Sequence, residues 1–222
     1  MRKNTLKTVL IIAMGFTFIL SSCSKANADK NNTTLSREEI KMLSFTDLFK
    51  QIEPTEIPES VFTLIGEDYS VLTAGKPSHY NSMIASWGGW GILFNKPSAF
   101  SFLRSNRYTL ELMREEQSYT MCFFDSEFKD DIMLFGRSSG RNNDEKMRNT
   151  QLTAAQTPAG NMAFKEAKLI IEYKLIQVTT VSPDDFLTEE GRTFVVNANP
   201  NAVPSDYHKL VFGEITNVWV RK

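Results

Sequence analysis

The amino-acid sequence predicts a mainly β protein with short helices, arranged as a β-barrel with helical insertions. Short runs rich in β-branched and aromatic residues recur along the chain, separated by residues that favour turns. The helical patterns between these runs are brief and do not alternate with them, as strands and helices do in a parallel α/β sheet. The sequence also contains no internal repeat. These observations favour antiparallel strands.

An export signal is predicted at the N-terminus. Three basic residues precede an apolar run at residues 9–20, which is too short to predict a membrane span. The run ends in Leu20-Ser21-Ser22-Cys23, which resembles the lipobox of bacterial lipoproteins, in which signal peptidase cuts before a cysteine that carries lipid. An ordinary signal peptide that contains a cysteine is the alternative.

Residues 1–22 are therefore predicted to be a lipoprotein signal peptide. Residues 23–35 are predicted to be the lipidated Cys23 and a flexible tether, because this segment is polar and cannot bury a core. The implied location is the cell envelope, where the lipid alone attaches the protein to a membrane on its periplasmic or surface side. Residues 36–222 are enough for one domain with its own core.

The composition argues against several classes of function. A formal net charge of −1 gives no reason to expect a nucleic-acid partner or a polybasic membrane patch. Cys122 is the only cysteine left if Cys23 is lipidated, and its apolar neighbours predict a buried, inert thiol rather than a nucleophile. The two histidines, His79 and His208, have no metal-ligand spacing around them, so no metal site is expected.

The first element of the domain is predicted to be a helix. Ser36-Arg37-Glu38-Glu39 is a capping box, and apolar residues then recur near helical spacing until Pro54. These residues are Ile40, Leu43, Phe49 and Ile52. Two strands are predicted next, at residues 61–65 and 69–73, separated by a hairpin-type break.

The remaining elements are predicted from the same kinds of pattern. Further strands are expected at residues 83–87, 99–103, 119–124, 169–178 and 207–220, the last interrupted at Gly213. Short helices are expected at residues 109–116 and 128–135, and a polar loop rich in Gly, Ser and Asn at residues 136–143.

The first segment with a chemical signal is residues 81–91. It places Asn81 and other polar side chains beside two indoles and three glycines. Glycines let a backbone approach a ligand closely, and indoles give flat apolar walls, so the segment suits a flavin ring. The alternative is a tight turn whose tryptophans, Trp87 and Trp90, cap the core.

Two further segments suit an anion. Arg104-Ser105-Asn106-Arg107-Tyr108-Thr109 precedes a predicted helix, and Thr109 is the expected N-cap. A helix N-terminus beside two arginines suits a phosphate, although a solvated basic loop is the alternative. Residues 136–141, followed by Lys146, form a Ser/Gly-rich turn whose N–H groups can bind an anion. A mobile, exposed loop is the alternative there.

Together these segments resemble the flavin reductase-like family, and its flavoredoxin-type members most of all, over about residues 62–216. The shared motifs, in order, are Asn81-x-Met83-x-Ala85-Ser86-Trp87-Gly88-Gly89, Asn95-Lys96-Pro97, Arg104-x-x-Arg107-Tyr108-Thr109, Ser139-Gly140-Arg141 with Lys146, and Asp206-Tyr207-His208 with Gly213-Glu214-Ile215. The resemblance implies a split β-barrel, a homodimer, and FMN bound near the subunit interface.

The resemblance also implies a set of cofactor-binding residues. The ring and ribityl of FMN are expected beside Asn81, Ala85, Ser86 and Trp87, and its phosphate end beside Arg104, Ser105, Arg107 and Thr109. A third group is expected to close over the flavin: Ser139, Gly140, Arg141 and Lys146. His208 is the one catalytic candidate, close to the site and without an assigned role. Relatives often have Pro at the position of Ser105 and His at that of Ser138.

The implied activity is that of an FMN-dependent oxidoreductase that takes electrons from NAD(P)H or from another reduced small molecule or protein. No G-x-G-x-x-G follows a predicted strand, so a Rossmann NAD site is not expected. An exported protein would meet little NAD(P)H. Two alternatives therefore stay open: a non-catalytic FMN-binding protein or electron carrier, and a domain that has lost flavin and binds another planar ligand.

Overall fold

The computed structural model describes residues 35–68, 70–141, 145–198, 203 and 206–222. The predicted signal peptide, Cys23 and the tether up to residue 34 lie outside the described residues. Among the described residues, no helix is both long and apolar enough to cross a membrane.

Ten strands and seven α-helices are described. The strands are β1 (Phe49–Ile52), β2 (Ser70–Lys76), β3 (His79–Ala85), β4 (Gly88–Leu93), β5 (Lys96–Leu103), β6 (Ser118–Phe123), β7 (Ala154–Gln156), β8 (Met162–Phe164), β9 (Leu169–Thr180) and β10 (Lys209–Arg221). The helices are α1 (Arg37–Met42), α2 (Phe45–Leu48), α3 (Val61–Gly66), α4 (Tyr108–Glu116), α5 (Lys129–Arg137), α6 (Glu145–Arg148) and α7 (Glu189–Ala198). Short 3₁₀ helices lie at Pro54–Glu56, Ser126–Phe128 and Pro183–Asp185.

Eight of the strands form one antiparallel sheet. Seven are hydrogen-bonded in the order β3-β2-β6-β9-β10-β5-β4, and β1 pairs with the C-terminal part of β10. Strand β3, at one edge of the sheet, contacts β5, which lies next to the other edge, and this contact shows that the sheet is curled. The strands β7 and β8 form a separate hairpin. The predicted mainly β architecture with short helices is confirmed.

The central strands are buried on both faces because alternate side chains enter two different apolar clusters. The first cluster contains residues of α3 and α4 and a row of cross-strand partners from one face of the sheet. These partners are Met83, Leu72, Met121, Ile171 and Val218. The second cluster contains residues of α1, α2, α5 and β8 and the adjacent row of cross-strand partners, from the other face. These partners are Val71, Cys122, Ile170 and Trp219.

Cys122 lies in the second of these rows and is fully buried. Burial raises the pKa of its thiol to about 12, so the thiolate is not populated at neutral pH. The prediction of a buried, inert thiol is confirmed.

The N-terminal elements differ from the sequence predictions. The Ser36 capping box is confirmed, but the helix ends at Met42 and the predicted continuation is wrong. Phe49–Ile52 is instead strand β1, paired with β10. The predicted strand at residues 61–65 is also wrong: this segment is helix α3, because the Ser60 side chain caps it by accepting a hydrogen bond from the N–H of Phe62.

Most of the later elements were predicted. Strands β2, β3, β5, β6 and β9 and helices α4 and α5 all overlap their predicted ranges. The last strand runs through Gly213 without ending, but its register with β9 shifts between Phe212 and Gly213. Strand β4 was missed because its glycines indicated a turn, and α7 and the β7–β8 hairpin were not predicted.

Candidate functional site

A cleft of about 210 Å³ lies where β3, the N-terminus of α4, and the C-terminus of α5 with its following loop come together. Its lining residues are Asn81, Met83, Ile84, Asn106, Arg107, Tyr108, Thr109, Phe135, Gly136, Ser138, Ser139, Gly140 and Lys146. Six of the predicted cofactor-binding residues are among them, although they come from three separate segments of the sequence: Asn81, Arg107, Thr109, Ser139, Gly140 and Lys146.

The floor of the cleft contains a buried amide that lacks one partner. Asn81 is only 3% exposed, and its Nδ2 donates a hydrogen bond to Thr109 Oγ1 at 2.7 Å. Its Oδ1 has no hydrogen-bond partner. Turning the amide over would only move the vacancy to the nitrogen, so one polar atom of Asn81 is unpaired in either orientation. In this structure Gly140 covers that atom. A buried polar group without a partner is costly, which points to a bound ligand.

The start of α4 also faces this cleft. Thr109 was predicted to be the N-cap, and that prediction is wrong: Arg107 takes the N-cap position, and Thr109 is the second residue of the helix. The Arg107 side chain does not cap the first turn. The N–H of Leu110 is bonded to the Arg107 carbonyl, so the N–H groups of Tyr108 and Thr109 are the ones that offer donors and partial positive charge next to Arg107.

Lys146 adds a second positive charge to the cleft. Its side chain is nearly buried, and its Nζ donates a hydrogen bond to the Ser138 carbonyl at 3.0 Å. Burial, and then the charge of Arg107, lower the pKa of Lys146 to about 8. Among the described residues, no anion contributes to this shift, and an anion in the cleft would meet two cations.

The loop Ser138–Arg141 forms one wall of the cleft. Gly140 is packed so closely against Asn81 that a Cβ at this position would overlap Asn81 Oδ1. Arg141 was expected to close over the flavin, but it does not line the cleft. It forms a double hydrogen-bonded ion pair with Glu111, which lowers the pKa of the Glu111 carboxyl, and it lies over the Tyr108 ring.

The other predicted residues lie in neighbouring positions. The Trp87 ring is 46% exposed and lies between His208 and Phe194, at centroid distances of 5.3 Å and 6.2 Å. Burial, and then the charges of Arg104 and Arg107, lower the pKa of His208, so its ring is neutral at pH 7. Arg107 therefore acts electrostatically on both Lys146 and His208, and these two groups belong to one region.

Three further residues of the predicted set lie outside this cleft. Ser105 Oγ donates to the Asp206 carbonyl at 3.2 Å. Ser86 lines a second, apolar cleft of about 340 Å³ with residues of α3, β4 and β5. Ala85 is a core residue. Among the described residues there is no cluster of side chains that could hold a metal ion.

Residues 63–222 match the family model described as "Flavin reductase like domain", which is 160 of the 222 residues. The chain belongs to the flavin reductase like domain family. No curated protein matches the chain significantly.

Solved structures show the same fold. Flavoredoxin from Methanosarcina acetivorans is 17% identical, with a TM-score of 0.51, and the match covers 69% of this chain and 68% of that one. An FMN-binding domain of a flavin reductase-like enzyme from Shewanella baltica is 14% identical, with a TM-score of 0.54 and coverages of 78% and 76%. A flavin reductase with a split barrel domain from Shewanella frigidimarina is 15% identical, with a TM-score of 0.53 and coverages of 84% and 79%. The curled sheet is therefore the split barrel.

Within this flavin reductase like domain, the sequence analysis missed several residues that line the cleft. Met83, Ile84 and Tyr108 lie inside recognised motifs, and only their side-chain directions were not evident from the sequence. Phe135 carries no local signal, because α5 reaches β3 only through tertiary packing. Helical periodicity predicted α5 but not the strand against which it packs.

Proposed function

We propose that this protein binds FMN in the cleft beside Asn81 and passes electrons through it as an oxidoreductase, taking them from NAD(P)H or another reduced donor. The observation that supports the proposal is the combination of a buried, unpaired amide with two cations, Arg107 and Lys146, that line the cleft. FMN carries both hydrogen-bonding groups and a phosphate, which match these two features. FMN-binding proteins are among the structures with the same fold.

The phosphate would be held at the start of α4. Arg107, Lys146 and the hydroxyl of Thr109 lie there with the free N–H groups of a nine-residue helix. Charge-assisted hydrogen bonds of this kind are stronger than neutral ones, and the helix N-terminus adds a favourable field. Asn81 would position the rest of the molecule through its unpaired amide atom.

When bound, FMN supplies the redox chemistry, and the protein supplies binding and orientation. His208 lies beside the cleft with a neutral ring, so it can both donate and accept a hydrogen bond at physiological pH. The exposed Trp87 ring next to it leaves an apolar surface on which a planar donor can stack.

A homodimer is part of the proposal because the cleft is too small for the whole cofactor. Sites for ligands of this size usually enclose about 300–1,000 Å³, and this cleft encloses about 210 Å³. A sheet surface with exposed or half-exposed apolar side chains lies on β5 and β10. We define this apolar face by Phe100, Phe102, Leu210 and Phe212, and infer that a second copy of the chain covers it and completes the site.

The primary test is the absorption spectrum of the purified mature protein, followed by titration with FMN and riboflavin. Hydrogen bonds to charged groups contribute roughly 1.5–3 kcal/mol, so Arg107→Ala should weaken FMN binding by about ten- to a hundredfold. Thr109→Ala should also weaken FMN binding more than riboflavin binding, because riboflavin lacks the phosphate. Asn81→Ala should weaken both. Equal losses for the two flavins in Arg107→Ala would place the phosphate elsewhere.

Oxidation of NADH or NADPH by the loaded protein then separates an enzyme from a carrier. Turnover with either nucleotide, or with a reduced quinone, supports the oxidoreductase. A flavin that is reduced only by a protein partner would support the non-catalytic electron carrier instead.

We also propose that the protein is a lipoprotein of the cell envelope, because Cys23 follows an apolar run and two small residues. Replacing Cys23 by Ala should release the protein from the membrane fraction into the soluble fraction of the envelope. Unchanged membrane association of this variant would show that the anchor is not this cysteine.

A further inference from the structure

We propose that Arg141 is a positioning residue rather than a cofactor ligand: it latches residues 138–141 to helix α4, and this latch slows the release of the cofactor from the cleft. The inference rests on the proposed function, because the cofactor is taken to be FMN. It concerns a different property, the rate of release rather than recognition of the phosphate.

The latch is made by two contacts of one guanidinium group. Both of its terminal nitrogens donate hydrogen bonds to the two carboxylate oxygens of Glu111, at the end of the first turn of α4. The same group lies 5.1 Å from the centre of the Tyr108 ring, on the first turn. The planar fork of arginine fits both partners at once, which lysine cannot do.

Tyr108 is itself held on its other side. Its hydroxyl is hydrogen-bonded to Nε2 of His79, at the start of β3. The latch therefore joins the loop to α4 and, through Tyr108, to the strand that carries Asn81. Closing it keeps the loop against two elements that line the cleft.

The loop has two other attachments, and both are more buried than the latch. Lys146 Nζ binds the Ser138 carbonyl, and Gly140 packs against Asn81. In contrast, the side chains of Arg141 and Glu111 are 41% and 39% exposed. An ion pair with side chains as exposed as these contributes little to stability. The contact between Arg141 and Glu111 is therefore the attachment that opens most easily.

The test measures the dissociation rate constants of FMN and riboflavin by stopped-flow fluorescence, using the mature protein. Glu111→Gln and Arg141→Lys should each speed the release of both flavins by about two- to fivefold, the range expected for an exposed pair. The double variant Glu111→Arg with Arg141→Glu should restore rates to near those of the wild type. Glu115→Gln, on an exposed position of the same helix, is the matched control and should change neither rate.

Hydrogen exchange of residues 138–141 in the flavin-free protein gives a second readout that does not need the cofactor. Glu111→Gln should speed exchange in this loop, and Glu115→Gln should not. A selective effect of Arg141→Lys on FMN, with no effect of Glu111→Gln on either readout, would overturn the latch and make Arg141 a phosphate ligand. If the wild type binds neither flavin, the proposed function fails, and unchanged loop exchange in Glu111→Gln would then reject the latch separately.

Discussion

The ammonium group of Lys146 makes the charge of the cleft depend on pH. Its pKa is lowered to about 8, first by burial and then by Arg107. A phosphate in the cleft would raise this pKa again, because it favours the charged form. Binding of the phosphate is therefore coupled to protonation of Lys146. The affinity for the phosphate is fully present below the lowered pKa of Lys146 and is lost as pH rises through it.

We expect FMN affinity to fall as pH rises above about 8, by up to about tenfold per pH unit, since one proton is taken up on binding. The phosphate is already a dianion in this range, because its second pKa is near 6. Riboflavin affinity should stay constant, and in Lys146→Arg the FMN profile should be flat. Fluorescence titrations from pH 6.5 to about 9.5 measure these profiles. A wild-type FMN profile without this fall would show that Lys146 does not meet the phosphate.

Gly140 and Gly136 provide a matched pair for testing the cleft wall. In Gly140→Ala the new Cβ would overlap the Asn81 amide, so the loop must move away and the affinity for both flavins should fall at least about tenfold. In Gly136→Ala the Cβ would lie 3.4 Å from Ile84 Cδ1, an ordinary contact, and alanine stabilises a helix by about 0.5–1 kcal/mol relative to glycine. Binding titrations and thermal unfolding of both variants distinguish these outcomes. Equal affinities in both would mean that the loop does not form the wall.

At the scale of elements, a buried carboxylate attaches the β7–β8 hairpin to the sheet. Glu172 on β9 is fully buried and accepts three hydrogen bonds: from Trp219 Nε1 at 2.6 Å, Thr157 Oγ1 at 2.8 Å and Asn161 Nδ2 at 2.5 Å. Two of these donors lie in the turn that joins β7 to β8. The hairpin is therefore held by polar contacts inside an otherwise apolar region.

Glu172→Ala should lower the free energy of unfolding by about 3 kcal/mol or more, because it leaves buried donors without an acceptor and creates a cavity. Glu172→Gln should cost less, since it keeps the volume and one acceptor oxygen. Urea unfolding measures both changes, with Glu127→Ala at an exposed position as the control. If Glu172→Ala were as stable as the control, the carboxylate would have no structural role.

The sequence correctly predicted the helices and strands that depend on local patterns. The predictions failed where residues distant in the sequence determine the secondary structure. Helix α4 and strands such as β6 follow from periodicity alone, so they were found. Phe49–Ile52 continued a helical pattern, but pairing with the far end of the chain makes it a strand. Residues 61–65 have a strand composition, yet the Ser60 cap makes them helical. The same limit applies to the site: motifs identified Asn81 and Lys146, whereas the contribution of Phe135 and the ion pair of Arg141 depend on tertiary packing.

At the scale of the whole molecule, the apolar face is a surface that a single chain leaves partly uncovered. Phe100 lies opposite Phe212 in the sheet and 6.0 Å from the Phe102 ring, so these side chains are contiguous. The turn beside the face carries Phe94 at a φ of 51° with a 79% exposed side chain. Phe94 and Asn95, at φ values of 51° and 62°, form the two-residue turn between β4 and β5, which requires positive φ at both positions.

We expect Phe100→Asp to convert a dimer into a monomer at micromolar concentration and to weaken FMN binding at the same time. The added charge would be buried without a partner in the interface, which is strongly unfavourable. Light scattering gives the mass, and Met42→Asp, at an exposed position on α1, should remain dimeric. A wild-type monomer that still binds FMN would contradict the dimer proposal.

Strand β10 pairs with β9 on one side and with β5 and β1 on the other, although it is the last strand in the sequence. The ribosome therefore delivers the joining strand only after all its neighbours have been synthesised. Until then β1 and the β4–β5 hairpin have no place in the sheet, and the pairing of Phe49 with Arg221 spans nearly the whole domain. Pairing across such distances is slow. The eight-stranded sheet can therefore be completed only after β10 has been synthesised.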